Sequence, residues 1–226
     1  MTSAYDNPIH AVISDWCGTI ESNVVSRITA IQSCCKDMGL QPLNTEASQK
    51  ISGMTQQCTI DYLSSLNKLK VDKNQFMKYY SRYRQQQQTQ LILSTAAKKW
   101  FTQHCTFCLF TNGTRTYIND NIKKYELDNC FEQIATSDEF PAKPSPAMLE
   151  FITKAINIPA KHCLIVGDHP FDLLAAHAVQ APCVIVETGI SSPDDFVNLP
   201  KAVAHLETIN DVPALIQSIN AENMDR

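Results

Sequence analysis

The chain has no surplus of positive charge, no long apolar run and no spaced set of loop cysteines, and each lack removes a class of function. Nineteen lysines and arginines face 23 aspartates and glutamates, a net charge of −4. Binding nucleic acid or an anionic membrane needs a basic face to neutralise phosphates, so neither partner is expected. No stretch reaches the roughly 18 apolar residues that cross a bilayer. Residues 1–10 lack the basic and apolar blocks of a secretory leader. With 44% hydrophobic, 19% charged and 8% aromatic residues the composition is unbiased, which excludes disordered, collagen-like and fibrous classes. The nine cysteines are odd in number and sit mostly inside apolar runs, such as Cys163 in Cys-Leu-Ile-Val and Cys183 in Cys-Val-Ile-Val. Reduced thiols in a cytoplasmic protein are expected. No internal repeat is visible.

At about 150 residues per domain, this length suits one core carrying an insertion. What is present is a short apolar run, a Gly, Asp or Asn, then a helix-period segment, several times over. Such alternation specifies an α/β fold, a Rossmann-like parallel sheet flanked by helices. Strands are expected at 10–14, 106–110, 133–136, 163–166 and 183–186, each able to be buried on both faces. Helices are expected at 98–103, 116–125, 146–156, 170–179 and 211–219. Between the first two strands about 90 residues carry no strand, too many for a crossover. There Val24, Ile28, Ile31 and Cys35 recur at helical spacing up to Gly39, Asn44 and Asp72 stand as helix N-caps, and Phe76, Tyr80 and Tyr83 form a third stripe. Residues 21–90 are therefore expected to form an inserted α-helical cap, and 1–20 with 91–226 the catalytic core.

Four strand ends carry residues suited to phosphoryl chemistry. Asp15 opens Asp15-Trp16-Cys17-Gly18-Thr19 at the C-terminal edge of the first strand, where open α/β sheets bind ligands. A carboxylate there can attack phosphorus and divide a hydrolysis into two steps; an aspartate that only caps a loop reads the same in isolation. Thr111-Asn112-Gly113 ends the second strand, with a hydroxyl and turn amides able to bond phosphate oxygens, although Asn-Gly alone is simply a turn. Lys143, in Lys-Pro-Ser-Pro, is held extended before a proline-led helix, where its charge can meet a phosphoryl group; a lone lysine is more often solvated. After the fourth strand, Asp168 and Asp172 are two carboxylates four apart. They suit Mg²⁺, a hard cation that takes few protein oxygens, unless Asp172 serves only the helix start.

In order and placement these four segments resemble the motifs of the haloacid dehalogenase-like superfamily, and the resemblance spans the whole core. It implies a helical cap of that superfamily's first type, closing over the site and helping to choose the substrate, with Gly53-Met54-Thr55 in its specificity loop. It implies Mg²⁺ as cofactor and a small phosphorylated or phosphonate metabolite as substrate. Asp15 would be nucleophile and metal ligand, Cys17 a ligand through its backbone carbonyl, Thr111, Asn112 and Lys143 the phosphoryl-binding groups, and Asp168 and Asp172 the remaining metal-site carboxylates.

One position departs from the pattern. Phosphatases of the superfamily carry a general acid and base aspartate two residues after the nucleophile, and here Cys17 stands there. A thiol of pKa about 8.5 protonates an alkoxide poorly. Phosphonoacetaldehyde hydrolases share Asp-Trp-x-Gly-Thr but need a cap lysine; Gln56 stands at that place, with Lys50, Lys68 and Lys70 as nearby substitutes. Loss of the acid also suits a member that binds without turnover. Dehalogenases, which need no metal, fit least. His169 is a candidate proton donor or a residue of the helix start. Cys105 and Cys108 have metal-like spacing, but residues three apart on a strand face opposite ways, so core thiols are expected. The expectation is a Mg²⁺-dependent hydrolase working through an aspartyl-phosphate.

Overall fold

The computed structural model describes residues 7–224. The chain divides into two compact units, one comprising the chain up to Ser22 with Leu91 onwards, the other Asn23–Gln90. In chain order the strands are β1 (Ala11–Ser14), β2 (Glu21–Ser22), β3 (Gln90–Leu91), β4 (Thr106–Thr111), β5 (Ile134–Thr136), β6 (Cys163–Gly167), β7 (Cys183–Val186) and β8 (Ala204–Leu206). Helices α1 (Val24–Asp37), α2 (Thr45–Ser52), α3 (Gln56–Asn67) and α4 (Lys73–Gln85) make the second unit. The first unit holds α5 (Thr95–His104), α6 (Arg115–Lys124), α7 (Ala147–Ile156), α8 (Pro170–Ala178) and α9 (Val212–Met224).

β2 pairs with β3, and the other strands form one parallel sheet in the order β5-β4-β1-β6-β7-β8. Side chains alternate along a strand, so Val12, Leu109, Leu164, Val166 and Val184 enter one layer with Phe101, Ile118, Ile122 and Ile216 of α5, α6 and α9. Ala11, Ile13, Phe110, Cys163 and Ile165 enter the other with Met148, Leu149, Ile152, Leu173 and Ala176 of α7 and α8. Covering both faces is what makes these strands unbroken apolar runs in sequence. Cys105 packs against the first layer and Cys108 lies in the second, both as free thiols.

From β1 the chain proceeds outward through β4 to β5, then crosses to the other side of β1 and proceeds outward through β6, β7 and β8. The loops after β1, β4 and β6 thus meet at a topological switch point, the usual ligand crevice of such sheets. Some elements differ from the sequence expectation. The helix expected at 98–103 starts at Thr95 because Ser94 caps it, accepting the N–H of Ala97. The helix expected at 211–219 continues to Met224. β8 was not expected; its residues are strand because they pair with Val184–Val186.

In the helical unit Asn44, Thr55 and Asp72 cap α2, α3 and α4 by accepting the N–H groups of Ala47, Cys58 and Gln75. Ile28, Ile31, Cys35, Ile51, Leu63, Phe76 and Tyr80 are buried. Tyr83 is not part of that core; it is partly exposed and donates to Asp37. Among the described residues no helix is long and apolar enough to cross a membrane.

Candidate active site

The amide of Asp15 donates to the Val166 carbonyl of β6 at 2.8 Å, so the sheet itself fixes the residue that follows β1. Asp168 follows β6, and Asp172 lies in the first turn of α8. One carboxylate oxygen from each of Asp15, Asp168 and Asp172 lies within 4.8 Å of the others. Lys143 reaches them from the segment before α7: its Nζ donates to Asp15 Oδ1 at 2.6 Å and to Asp172 Oδ1 at 2.7 Å. All four side chains are buried.

Local chemistry holds each group in place. Asn112, just past β4, grips the lysine's main chain, its Oδ1 accepting the Lys143 N–H at 2.8 Å and its amide donating to the Lys143 carbonyl at 3.3 Å. Asp172 Oδ2 accepts the N–H of His169 at 3.0 Å, one half of a capping box. Three glycines leave room for the carboxylates. A Cβ on Gly18, whose φ is +81°, would stand 2.4 Å from Asp168 Oδ2, one on Gly189 1.9 Å from the same oxygen, and one on Gly167 2.3 Å from the Asp172 carboxyl. Only a residue without a side chain permits that approach.

Burial pushes the Asp15 carboxyl up to about 6, with Lys143 opposing the rise and Asp172 adding to it. Burial, then the charges of Asp15 and Asp172, hold Asp168 well above the ordinary carboxylate range against the pull of Lys143. For Lys143 burial favours the neutral amine, but the Asp15 and Asp172 carboxylates outweigh it and raise the ammonium above the ordinary lysine range. Three carboxylates therefore gather around one ammonium, which bonds two of them, and the potential ligand atoms are all hard oxygens. That deficit of positive charge fits a hard divalent cation.

Thr111, buried at the end of β4, accepts the Gly113 N–H on its hydroxyl at 3.1 Å, which leaves the hydroxyl hydrogen to donate. Cys17 is half-buried, forms no disulfide and packs against the first core layer. His169 caps α8: Nδ1 accepts the Phe171 N–H at 3.1 Å, so a neutral ring carries its proton on Nε2. In the helical unit Gln56 opens α3, Lys68 is its left-handed C-cap, and the Lys50 ammonium lies 5.2 Å over the Tyr62 ring. Gly53-Met54-Thr55 joins α2 to α3, and the Arg27 guanidinium bonds the carbonyls of Ile51, Ser52 and Met54. Lys70 lines an open groove with Asp61, Val71 and Asp72.

Two residues that the sequence reading passed over also touch the cluster's surroundings. Thr188 donates to the carbonyl of Gly18, and Gly189 leaves space for Asp168. Their signal was a Thr-Gly placed just after β7, much as Thr111 and Gly113 are placed at the end of β4.

A family model described as haloacid dehalogenase-like hydrolase matches residues 12–186. A phosphoglycolate phosphatase of Pseudomonas fluorescens strain Pf-5 is 24% identical over 188 residues, covering 79% of this chain and 69% of that protein. Another, from Pseudomonas fluorescens strain Pf0-1, is 34% identical over 93 residues, 40% of this chain and 34% of that one. A solved hydrolase from Pseudomonas syringae shares the fold with a TM-score of 0.77 at 21% identity, covering 93% of this chain and 99% of that one. Because the family match runs from β1 to the end of β7 and takes in Asp15, Thr111, Lys143, Asp168 and Asp172, the chain belongs to the haloacid dehalogenase-like hydrolases.

Proposed function

We propose that the protein is a Mg²⁺-dependent phosphatase of a small phosphorylated metabolite and works through an aspartyl-phosphate on Asp15. The observation that carries this reading is the buried cluster of Asp15, Asp168 and Asp172 at the switch point of the sheet, in which Asp15 and Asp172 pair with the Lys143 ammonium. The names of its relatives make 2-phosphoglycolate the first substrate to test. The free cysteines, most of them buried, support a reducing, cytoplasmic location.

Asp15, Asp168, Asp172 and the backbone carbonyl of Cys17 would hold the metal, which when bound supplies positive charge against the phosphoryl oxygens. Lys143 and the Thr111 hydroxyl bind those oxygens and orient phosphorus toward Asp15. A carboxylate oxygen of Asp15 then bonds to phosphorus as the bond to the substrate oxygen breaks. The departing alkoxide takes a proton from water or from His169, since Cys17 occupies the place of the usual acid. Water next attacks phosphorus, releasing phosphate and restoring the Asp15 carboxylate.

The test is hydrolysis of p-nitrophenyl phosphate and 2-phosphoglycolate with Mg²⁺ and with chelator, by wild type and by Asp15→Asn, with acid-quenched phosphate label sought on Asp15. Label and turnover that both vanish in the folded variant support the proposal. Undiminished hydrolysis by Asp15→Asn would end it. A second reading rests on Asp15-Trp16 followed by Gly18-Thr19, the pattern of phosphonoacetaldehyde hydrolases. That chemistry needs a cap amine, and borohydride trapping of phosphonoacetaldehyde on Lys50, Lys68 or Lys70 would establish it.

A further inference from the structure

Glu21 takes no part in the mechanism above, yet its side chain is wholly buried. Its carboxylate collects three donors. The Trp16 indole N–H reaches Oε2 at 2.9 Å, the Tyr117 hydroxyl reaches the same oxygen at 2.5 Å, and the Tyr125 hydroxyl reaches Oε1 at 2.9 Å. From the exposed side the Lys124 ammonium lies 4.4 Å over the Tyr125 ring and donates to its hydroxyl at 2.9 Å.

A buried carboxylate is costly, and an apolar side chain of similar volume would fill the space with less penalty. What the carboxylate adds is direction, because a satisfied buried polar cluster fixes one arrangement of the groups that feed it. Here those groups come from the loop after β1, which carries Trp16, and from α6, the helix that follows the turn after β4. Trp16 stands between Asp15 and Cys17, and its carbonyl accepts the amides of Thr19, Ile20 and Glu21 at 3.3, 2.9 and 3.0 Å. The Gly18 N–H returns to the Glu21 carbonyl at 2.8 Å. The 16–21 loop is thus closed once by main chain and again by the Trp16–Glu21 side-chain bond. Tyr117 lies on α6 and Tyr125 caps its C-terminus, and α6 follows the Thr111-Asn112-Gly113 turn.

We propose that Glu21 is a positioning residue for Asp15. Through Trp16 its carboxylate sets the conformation of the loop that carries the nucleophile, and through Tyr117 and Tyr125 it sets that loop's register against α6. The inference rests on Asp15 being the nucleophile, and the experiment separates the two claims.

Glu21→Gln keeps the shape. An indole N–H can only donate, so the glutamine carbonyl must face Trp16 and Tyr117 while its amide faces the Tyr125 oxygen. The loop stays assembled, held by neutral bonds weaker than charge-assisted ones. With p-nitrophenyl phosphate and Mg²⁺, kcat is expected to fall about tenfold with KM within about twofold, the signature of a displaced reacting group rather than lost binding. The Trp16 indole N–H resonance, read in a Trp100→Phe background, should shift and exchange faster with solvent. Should Glu21→Gln not fold, Tyr125→Phe keeps the carboxylate and the Trp16 bond, and the same constant-KM loss is expected at about threefold.

A folded variant whose Trp16 signal shifts while kcat stays within about twofold of wild type would overturn the positioning role. Asp15→Asn, assayed alongside, divides the outcomes. Activity surviving in it removes the nucleophile and the positioning role together; an inactive Asp15→Asn beside a fully active Glu21→Gln removes the positioning role alone.

Discussion

Two buried carboxylate centres lie close together in the core unit, at Asp15 and at Glu21, and they are balanced by opposite means. Around Glu21 three neutral donors serve one carboxylate. Around Asp15 three carboxylates gather with one ammonium, that of Lys143, which pairs with Asp15 and Asp172, and burial holds both Asp15 and Asp168 above the ordinary carboxylate range. The difference separates a centre built to keep its shape from one built to take something up. A carboxylate held by several hydrogen bonds resists change, whereas charge left over in a crevice is ready for a cation and an anionic substrate.

Removing the shared cation should break the contrast most severely. Lys143→Met leaves three buried carboxylates without an ammonium, and the metal-free protein is expected to lose about 3–5 kcal/mol in urea unfolding, with Mg²⁺ restoring much of it. Tyr125→Phe at the other centre should cost about 1 kcal/mol and respond little to Mg²⁺. Equal losses, or equal responses to Mg²⁺, would erase the distinction. Next in size is Gly189→Ala, whose methyl would collide with Asp168 Oδ2. The Mg²⁺ concentration needed for half-maximal activity should rise about tenfold, while the Trp16 indole resonance stays in place.

Acidity sharpens the comparison from another side. Burial pushes the Asp15 carboxyl up to about 6 from an ordinary 3.8. The folded state therefore takes up its proton before the unfolded chain does, and stability should rise as pH falls through 6 towards 4. Differential scanning of the metal-free protein should show a higher Tm at pH 5 than at pH 7. Asp15→Asn should show a smaller gain, and an identical gain would remove Asp15 as its source. The smallest effect expected is at Cys17. Cys17→Asp restores a carboxyl near the nucleophile and should raise turnover of alkyl phosphates about threefold, well below the 10²–10⁴ of a fully placed general acid, with p-nitrophenyl phosphate hardly changed. No gain on any alkyl phosphate, with wild type hydrolysing them readily, would point to another donor.

The buried strands are legible in the sequence because helices cover both sheet faces, so that Cys-Leu-Ile-Val and Cys-Val-Ile-Val leave no polar alternation. β8 is not legible, since Ala204-His205-Leu206 is short and partly exposed and owes its conformation to its neighbour β7. Asp15, Lys143, Asp168 and Asp172 can each be named from a place beside an apolar run or a proline-led helix. Which of them bond to one another cannot be read that way, because the partners meet only once β1 lies between β4 and β6. Asn112 shows the limit: the turn it stands in can be read from the sequence, but the bonds its side chain makes to the main chain of Lys143 cannot. Glu21 carries no signal of its own in Ile-Glu-Ser, and its tyrosine partners are 96 and 104 residues away.

The place of β1 in the sheet has a consequence for how the molecule breathes. β1 is hydrogen-bonded along both sides, while β5 and β8 are edge strands of three residues each. Local openings begin where few bonds need to break. The Asp15 amide, bonded to Val166, therefore belongs with those that trade hydrogen for deuterium last, and fraying of either edge can come and go without loosening it. The residue proposed to attack phosphorus is mounted on the part of the molecule that opens only when the whole core does.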